Sequence, residues 1–242
     1  MKKIILLTLL PLILFAVQAG AQNQQDIDKA LSSGNTVYLL LKDKNTNIAK
    51  TEPMLKAAVA EVKKANYFII DKSAPGNKAI VGKYKLNPLP VPSVMVLASN
   101  GITTAVLAND KINQGNMVKA VPTPGQANVL KLLGEGKSVF MVVSDIAYPD
   151  RAATLATCKT SCDQMKGKAV SIEVKAKEKS EEKFLKFLEI SLSKPQSSVV
   201  VFNSKGQMTG IFPGTTKAAE LIKAASKADV PCCPPGTPAC KK

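Results

Sequence analysis

The chain contains no histidine and no tryptophan. Without an imidazole, Ser-His and Cys-His catalysis, the usual zinc proteases and histidine-ligated metal sites are excluded. Any chemistry must run on thiols, carboxylates or lysines. Arginine is nearly absent as well. Arg151 is the only one, so almost all of the net charge of +15 is lysine. Lysine is a hydrated point charge that lacks the planar fork used to read phosphates and bases bidentately. Aromatics are scarce at 5%, and the acidic residues are interspersed among the lysines with no concentrated basic run. Nucleic-acid binding is therefore not expected. The charge reads as a solvated basic surface, with weak attraction to an anionic cell envelope as the second reading. Cysteine is missing from the whole first half.

No apolar run reaches the ~20 residues needed to cross a bilayer. The N-terminus instead has the three parts of an export signal. Lys2 and Lys3 are basic, residues 4–17 are apolar except for Thr8 and Pro11, and Ala19-Gly20-Ala21 offers a small-residue cleavage site. Cleavage after Ala21 is expected, giving a signal peptide over 1–21 and a mature start at Gln22. No cysteine follows the small residues, so no lipid-modified terminus is implied. The expected location is periplasmic or secreted, without stable membrane insertion once the signal is removed.

What the chain does have is a repeat. Residues 27–43, IDKALSSGNTVYLLLKD, read without gaps against residues 129–145, VLKLLGEGKSVFMVVSD. A second match sets Val94-Met95-Val96-Leu97-Ala98-Ser99-Asn100-Gly101 against Val199-Val200-Val201-Phe202-Asn203-Ser204-Lys205-Gly206. A period of about 100 residues is too long for a solenoid unit and fits a duplicated domain. Hydrophobic periodicity predicts helices over 24–33, 52–65, 77–85 and 115–121 in the first copy. Leu55, Ala58, Val59 and Val62 form the apolar face of the second of these. Strands are predicted over 36–42, 67–71, 93–98 and 102–107. The second copy predicts helices over 126–133, 149–166, 180–192 and 215–226, with Pro149 in the first turn of its helix. Its strands are predicted over 138–144, 169–174, 198–203 and 207–212. The two prolines and glycine of Pro122-Thr123-Pro124-Gly125 mark the boundary. The domains are thus expected over 22–122 and 126–228, followed by a Pro- and Cys-rich tail over 229–242. The early β-α-β units imply parallel strands and the late hairpins add antiparallel ones.

This order resembles the thioredoxin fold. The segments KALSSGNTVYLLLKD and KLLGEGKSVFMVVSD are similar to the lead-in helix and first core strand of exported bacterial thioredoxin-like domains. LPVPSVMVLASNG and SSVVVFNSKGQMTGIFPG resemble the family's segment of cis-proline, strand and hairpin. The resemblance implies an α/β chain of two tandem thioredoxin-like domains, each a mixed β-sheet flanked by helices. It also implies a cis peptide bond at Pro92. The family's redox motif, Cys-x-x-Cys after the first core strand, is absent from both copies: Asp43-Lys44-Asn45-Thr46-Asn47 and Asp145-Ile146-Ala147-Tyr148-Pro149-Asp150 stand there. Ser197 occupies the cis-proline position of the second copy.

The cysteines are Cys158 and Cys162 on the 149–166 helix and Cys232, Cys233 and Cys240 in the tail. Export makes disulfides the first reading. Helical neighbours four apart have Cβ atoms ~5–6 Å apart, whereas a disulfide wants ~3.5–4.5 Å. Cys158 and Cys162 therefore suit separate partners, a bridge at a distorted helix, or a shared soft ion such as Cu(I). Their depth in the helix, away from its N-terminal dipole, opposes a lowered thiol pKa. Asp43 and Asp145 read as turn residues at strand ends, and Glu181 and Glu182 as solvated helix surface. Three functions stay open. The first is a non-catalytic binding or scaffold module with divergent thiol chemistry in the second domain, its partner a protein or an envelope component. The second is a thiol–disulfide oxidoreductase or isomerase using Cys158, Cys162 and the tail. The third is a thiolate copper-binding protein using Cys158, Cys162, Cys232 and Cys233. No cofactor is implied.

Overall fold

A computed structural model describes residues 19–227, with side chains from Asn23. Residues 1–18, in which most of the expected signal peptide falls, the tail from residue 228 and the tail cysteines lie outside the described residues. The chain forms two separate four-stranded sheets, each flanked by helices. In the first copy these are α1 (Ala19–Ser32), β1 (Thr36–Lys42), α2 (Thr51–Glu61), β2 (Ala65–Asp71), α3 (Lys78–Lys83), β3 (Ser93–Leu97), β4 (Thr103–Ala108) and α4 (Gln114–Lys119). The second copy has α5 (Pro124–Gly134), β5 (Ser138–Ser144), α6 (Arg151–Gln164), β6 (Ala169–Lys175), α7 (Glu182–Phe187), β7 (Ser198–Phe202), β8 (Met208–Pro213) and α8 (Ala218–Ala225).

The strand orders are β2-β1-β3-β4 and β6-β5-β7-β8. In each, the first pair is parallel and the remaining pairs are antiparallel. These are the mixed sheets flanked by helices that the sequence resemblance implied. The central strands β1 and β5 are apolar at nearly every position because both of their faces are covered. Val37, Leu39 and Leu41 pack beneath α1 and α3, while Tyr38 and Leu40 face α2 and α4. In the second copy Val139, Met141 and Val143 take one face, and Phe140 and Val142 take the other. The matching glycines Gly34 and Gly136 lie between helix and strand at φ +80° and +75°. That left-handed turn admits glycine without a Cβ penalty.

Four readings change. The helix expected over 52–65 ends at Glu61, and Ala65 already belongs to β2; the lysines at 63 and 64 reach solvent between the two. Pro149 lies outside its helix, because Asp150 is the N-cap of α6. The helix expected over 180–192 stops at Phe187, since Glu189 turns into the left-handed region at φ 55°. The helix expected over 126–133 starts earlier, inside the boundary segment: Thr123 caps α5 through its hydroxyl, and Pro124 begins the helix.

Glu181 is a further correction. It is 6% exposed, and its Oε1 accepts the Gly125 N–H at 2.8 Å. The acid is spent on a backbone donor at the start of α5, which the helix itself cannot satisfy. Glu182 is exposed as expected and pairs with Lys186 at 2.6 Å. The two copies are joined by side-chain-to-backbone bonds. Lys183 Nζ donates to the carbonyls of Lys119 and Val121, and Asn100 Nδ2 to that of Ala127.

Candidate functional site

In the resemblance, reactive chemistry would sit where the helix after the first core strand begins, facing the residue that precedes the third strand. The structure builds these two positions in both copies from different residues. In the first copy, Asp43 accepts from Asn45 N–H at 3.0 Å and from the Thr46 hydroxyl at 2.6 Å, closing the turn after β1. Those donors hold its carboxyl below the usual range. In the same copy the Val91–Pro92 bond, just before β3, is cis. Ser93 follows, fully buried, its Oγ without a hydrogen-bond partner. No thiol is present.

In the second copy, Asp145 closes the same turn by accepting Ala147 N–H at 3.0 Å, with Lys177 at 3.4 Å. The backbone then reaches Asp150. As an N-cap, aspartate ordinarily accepts from its own first turn. Here it makes no such cap bond. Its carboxylate instead crosses to Ser197, the residue at the cis-proline position. Ser197 N–H lies 3.0 Å from each carboxylate oxygen, and Ser197 Oγ donates to Oδ1 at 2.9 Å. Ser197 is fully buried. Thr154 completes the closure, its hydroxyl bonding the carbonyls of Asp150 at 2.9 Å and Gly214 at 3.2 Å. Gly214 N–H returns to Ser197 O at 2.8 Å. A Cβ at Gly214 would collide with Thr154 Oγ1 and Asp150 Oδ2, so only glycine fits this crossing. The start of α6 is therefore closed against the segment before β7 by hydrogen bonds.

The cysteines lie elsewhere. Cys158 is eight residues past Asp150, about 12 Å along the helix axis. It is fully buried among Phe140, Val142, Val199, Val201 and Leu221. Burial pushes its thiol up to about 12, and neighbouring Cys162 adds to the rise. Cys162 is half-buried, and its thiol is also raised by burial, against partial relief from a hydrogen bond with Ser171. The two form no disulfide with each other. Lys159, beside them in sequence, is drawn off to Asp163 at 3.0 Å. Among the described residues, no group of three or more Cys, Asp and Glu side chains is placed to hold a metal ion. The copper reading needed Cys232 and Cys233, which lie outside the described residues.

The lone arginine sits at the mouth of α6. Arg151 donates from Nε and a terminal nitrogen to both oxygens of Glu173, each at 2.7 Å, and Ser144 Oγ donates to the same carboxylate. Arg151 holds Glu173 below its ordinary value of 4.5, opposed by partial burial and aided by Ser144. A depressed carboxyl contributes stability above its unfolded value and loses it as pH falls through the folded one. The urea-midpoint gap between the native chain and Glu173→Gln should be full at about pH 6, worth about 1 kcal/mol. It should narrow steadily towards about pH 3. A gap that is flat across that range would show the pair to be energetically idle.

Sequence reasoning missed the Asp150–Ser197 crossing and the buried Glu181. Ser197 was visible as the residue replacing proline, and Asp150 as an acid opening a helix. Nothing in the spacing joined them, because they are brought together by tertiary packing 47 residues apart.

No protein-family profile and no curated protein sequence matches the chain. Among solved structures it is similar to human ERp44 in a zinc-bound form, at 8% identity and TM-score 0.36, covering 83% of this chain and 56% of that one. It is similar to ERdj5 form II at 12% identity and TM-score 0.34, covering 82% and 26%. The first two thioredoxin domains of Saccharomyces cerevisiae Eps1p match at 10% identity and TM-score 0.32, covering 85% and 96%. The chain thus spans about half of ERp44 and a quarter of ERdj5.

Proposed function

We propose that the chain is an exported, non-catalytic binding module built on two thioredoxin-like domains, with a protein or an envelope component as its partner. The observation that carries this reading is the Asp150–Ser197 crossing. It occupies, with a carboxylate and a buried serine, the position where a dithiol would meet its substrate. The first copy has no cysteine to offer. Of the two thiols on α6, Cys158 is buried and Cys162 half-buried, and burial raises both above the ordinary thiol value, while a thiol reacts as its thiolate. Export rests on the N-terminal sequence. No helix among the described residues is long and apolar enough to cross a membrane. A protein partner is favoured over nucleic acid by the single arginine and scattered lysines.

The reading is tested by dithiothreitol-driven insulin reduction. The native chain should not accelerate turbidity above the protein-free rate. Acceleration that disappears in Cys158→Ser or Cys162→Ser would replace this reading with the oxidoreductase one.

A further inference from the structure

A cavity of about 580 Å³ opens where the two copies meet. That volume falls within the ~300–1,000 Å³ of small-molecule sites. Its walls come from both sides. Val62, Val118 and Val121 belong to the first copy, Pro122 and Pro124 to the boundary, and Ala127 to the second. These side chains carry no polar group, so they suit an alkyl body that leaves water to lie against them. Among the lining hydroxyls, that of Thr123 is already spent on Gln126 N–H at 3.1 Å.

The charge of the lining has one sign. Among the described residues, Lys63, Lys64 and Lys183 line the cavity, and no carboxylate does. Lys63 and Lys64 lie between α2 and β2, where Thr36 N–H bonds Lys64 O at 2.9 Å and fixes the passage beside β1. Both are exposed, and among the described residues neither side chain has an ion-pair or hydrogen-bond partner. Lys183 comes from α7. Its ammonium donates to the carbonyls of Lys119 and Val121 at 2.8 and 3.2 Å, which leaves one of its three donors. Partial burial and the like charge of Lys119 hold its pKa below the ordinary lysine value. The acids nearest in sequence are engaged elsewhere. Glu61 accepts from Gln114 at 2.9 Å, Glu181 from Gly125 N–H at 2.8 Å, and Glu182 pairs with Lys186. The start of α5 adds no donor, because the Gly125 and Gln126 N–H groups are already bonded. A ligand's charged head therefore falls to the lysines.

We propose that this cavity binds a dissolved single-chain carboxylate, its alkyl chain against the valines, prolines and Ala127 and its head on Lys63, Lys64 and Lys183. Three cations without a carboxylate select an anion, and the apolar wall selects a chain behind it. A recess set between two domains admits a dissolved molecule rather than the flat face of a bilayer. The inference rests on the binding-module reading and names the chemistry of one component that such a module would take. Insulin reduction decides that reading separately, so a failure here leaves it standing.

The test is a methyl-NMR titration of the whole chain with octanoate, and separately with 1-octanol and acetate, which carry the chain alone and the head alone. Octanoate should give saturable shifts at Val62, Val118, Val121 and Ala127. Binding of 1-octanol should be roughly tenfold weaker, and acetate should give no saturable shift. The double variant Lys63→Gln, Lys64→Gln changes two exposed side chains and keeps the fold. It should weaken octanoate roughly tenfold and leave 1-octanol unchanged. Val118→Phe, which narrows the cavity, should weaken both. Non-saturating shifts, equal affinity for octanoate and 1-octanol, or unchanged octanoate affinity in the double variant would overturn the proposal. Co-sedimentation with phosphatidylglycerol vesicles that the double variant loses, without octanoate shifts in the native chain, would assign the lysines to a membrane surface and overturn it as well.

Discussion

Replacing Asp150 with alanine is expected to destabilise the second domain by about 2–5 kcal/mol. Ser197 is fully buried, and both its N–H and its hydroxyl lose their acceptor together. A buried donor left unpaired costs about 1–3 kcal/mol, and bonds to a charged acceptor lie at the upper end. For a domain of this size that is a fall in melting temperature of roughly 10–40 °C. Asp150→Asn keeps one acceptor oxygen and should fall between. Ser197→Ala, which removes only the hydroxyl, should cost about 1 kcal/mol. Because the two sheets share no strand, hydrogen exchange locates the damage: β5 and β7 should lose protection while β1 and β3 keep theirs. An Asp150→Ala variant within about 0.5 kcal/mol of the native chain, the range of ordinary surface changes, would mean that the crossing is decorative. The closed-site reading would fall with it.

The parts of this fold that were legible in the sequence are those set by local pattern. Both central strands, Thr36–Lys42 and Ser138–Ser144, lie where the apolar runs put them, because strands covered on both faces read as unbroken hydrophobic segments. The turns at Asp43 and Asp145 follow from a short acid beside free backbone donors. Helix ends were less legible. Glu189 sits in a left-handed conformation without being glycine or asparagine, so no sequence signal stopped the 180–192 helix where the structure does. Glu181 and Glu182 look alike in sequence, yet one is buried against Gly125 and the other is solvated. The difference depends on where α5 lands, and that is tertiary information. The same holds for the candidate site. Its position was legible from the repeat and the absent dithiol, while its content, an aspartate reaching a serine, was not.

Cys158 in the native chain is expected to react with iodoacetamide at least about a thousandfold more slowly than in denaturant at pH 8. Its folded value of about 12 stands three units above the ordinary 9.0, and each unit removes a factor of about ten in thiolate; full burial slows attack further. Cys162, half-buried with a smaller rise, should be alkylated first, as read by peptide mass spectrometry. The same shift makes stability fall with alkali. Below about pH 9 both folded and unfolded chains hold the proton, so nothing is lost. Between about 9 and 12 only the unfolded chain releases it, and stability falls by about 1.4 kcal/mol per unit. Cys158→Ala should flatten that slope. The order of reactivity also decides between partners for the tail. If Cys232, Cys233 or Cys240 forms a bridge to α6 under oxidising conditions, Cys162 is the thiol it can reach, and deleting residues 232–240 should free Cys162 while leaving Cys158 unchanged. Native Cys158 alkylating as fast as Cys162, or Cys158 carrying the tail disulfide, would place a reactive thiol on this helix and restore the oxidoreductase reading.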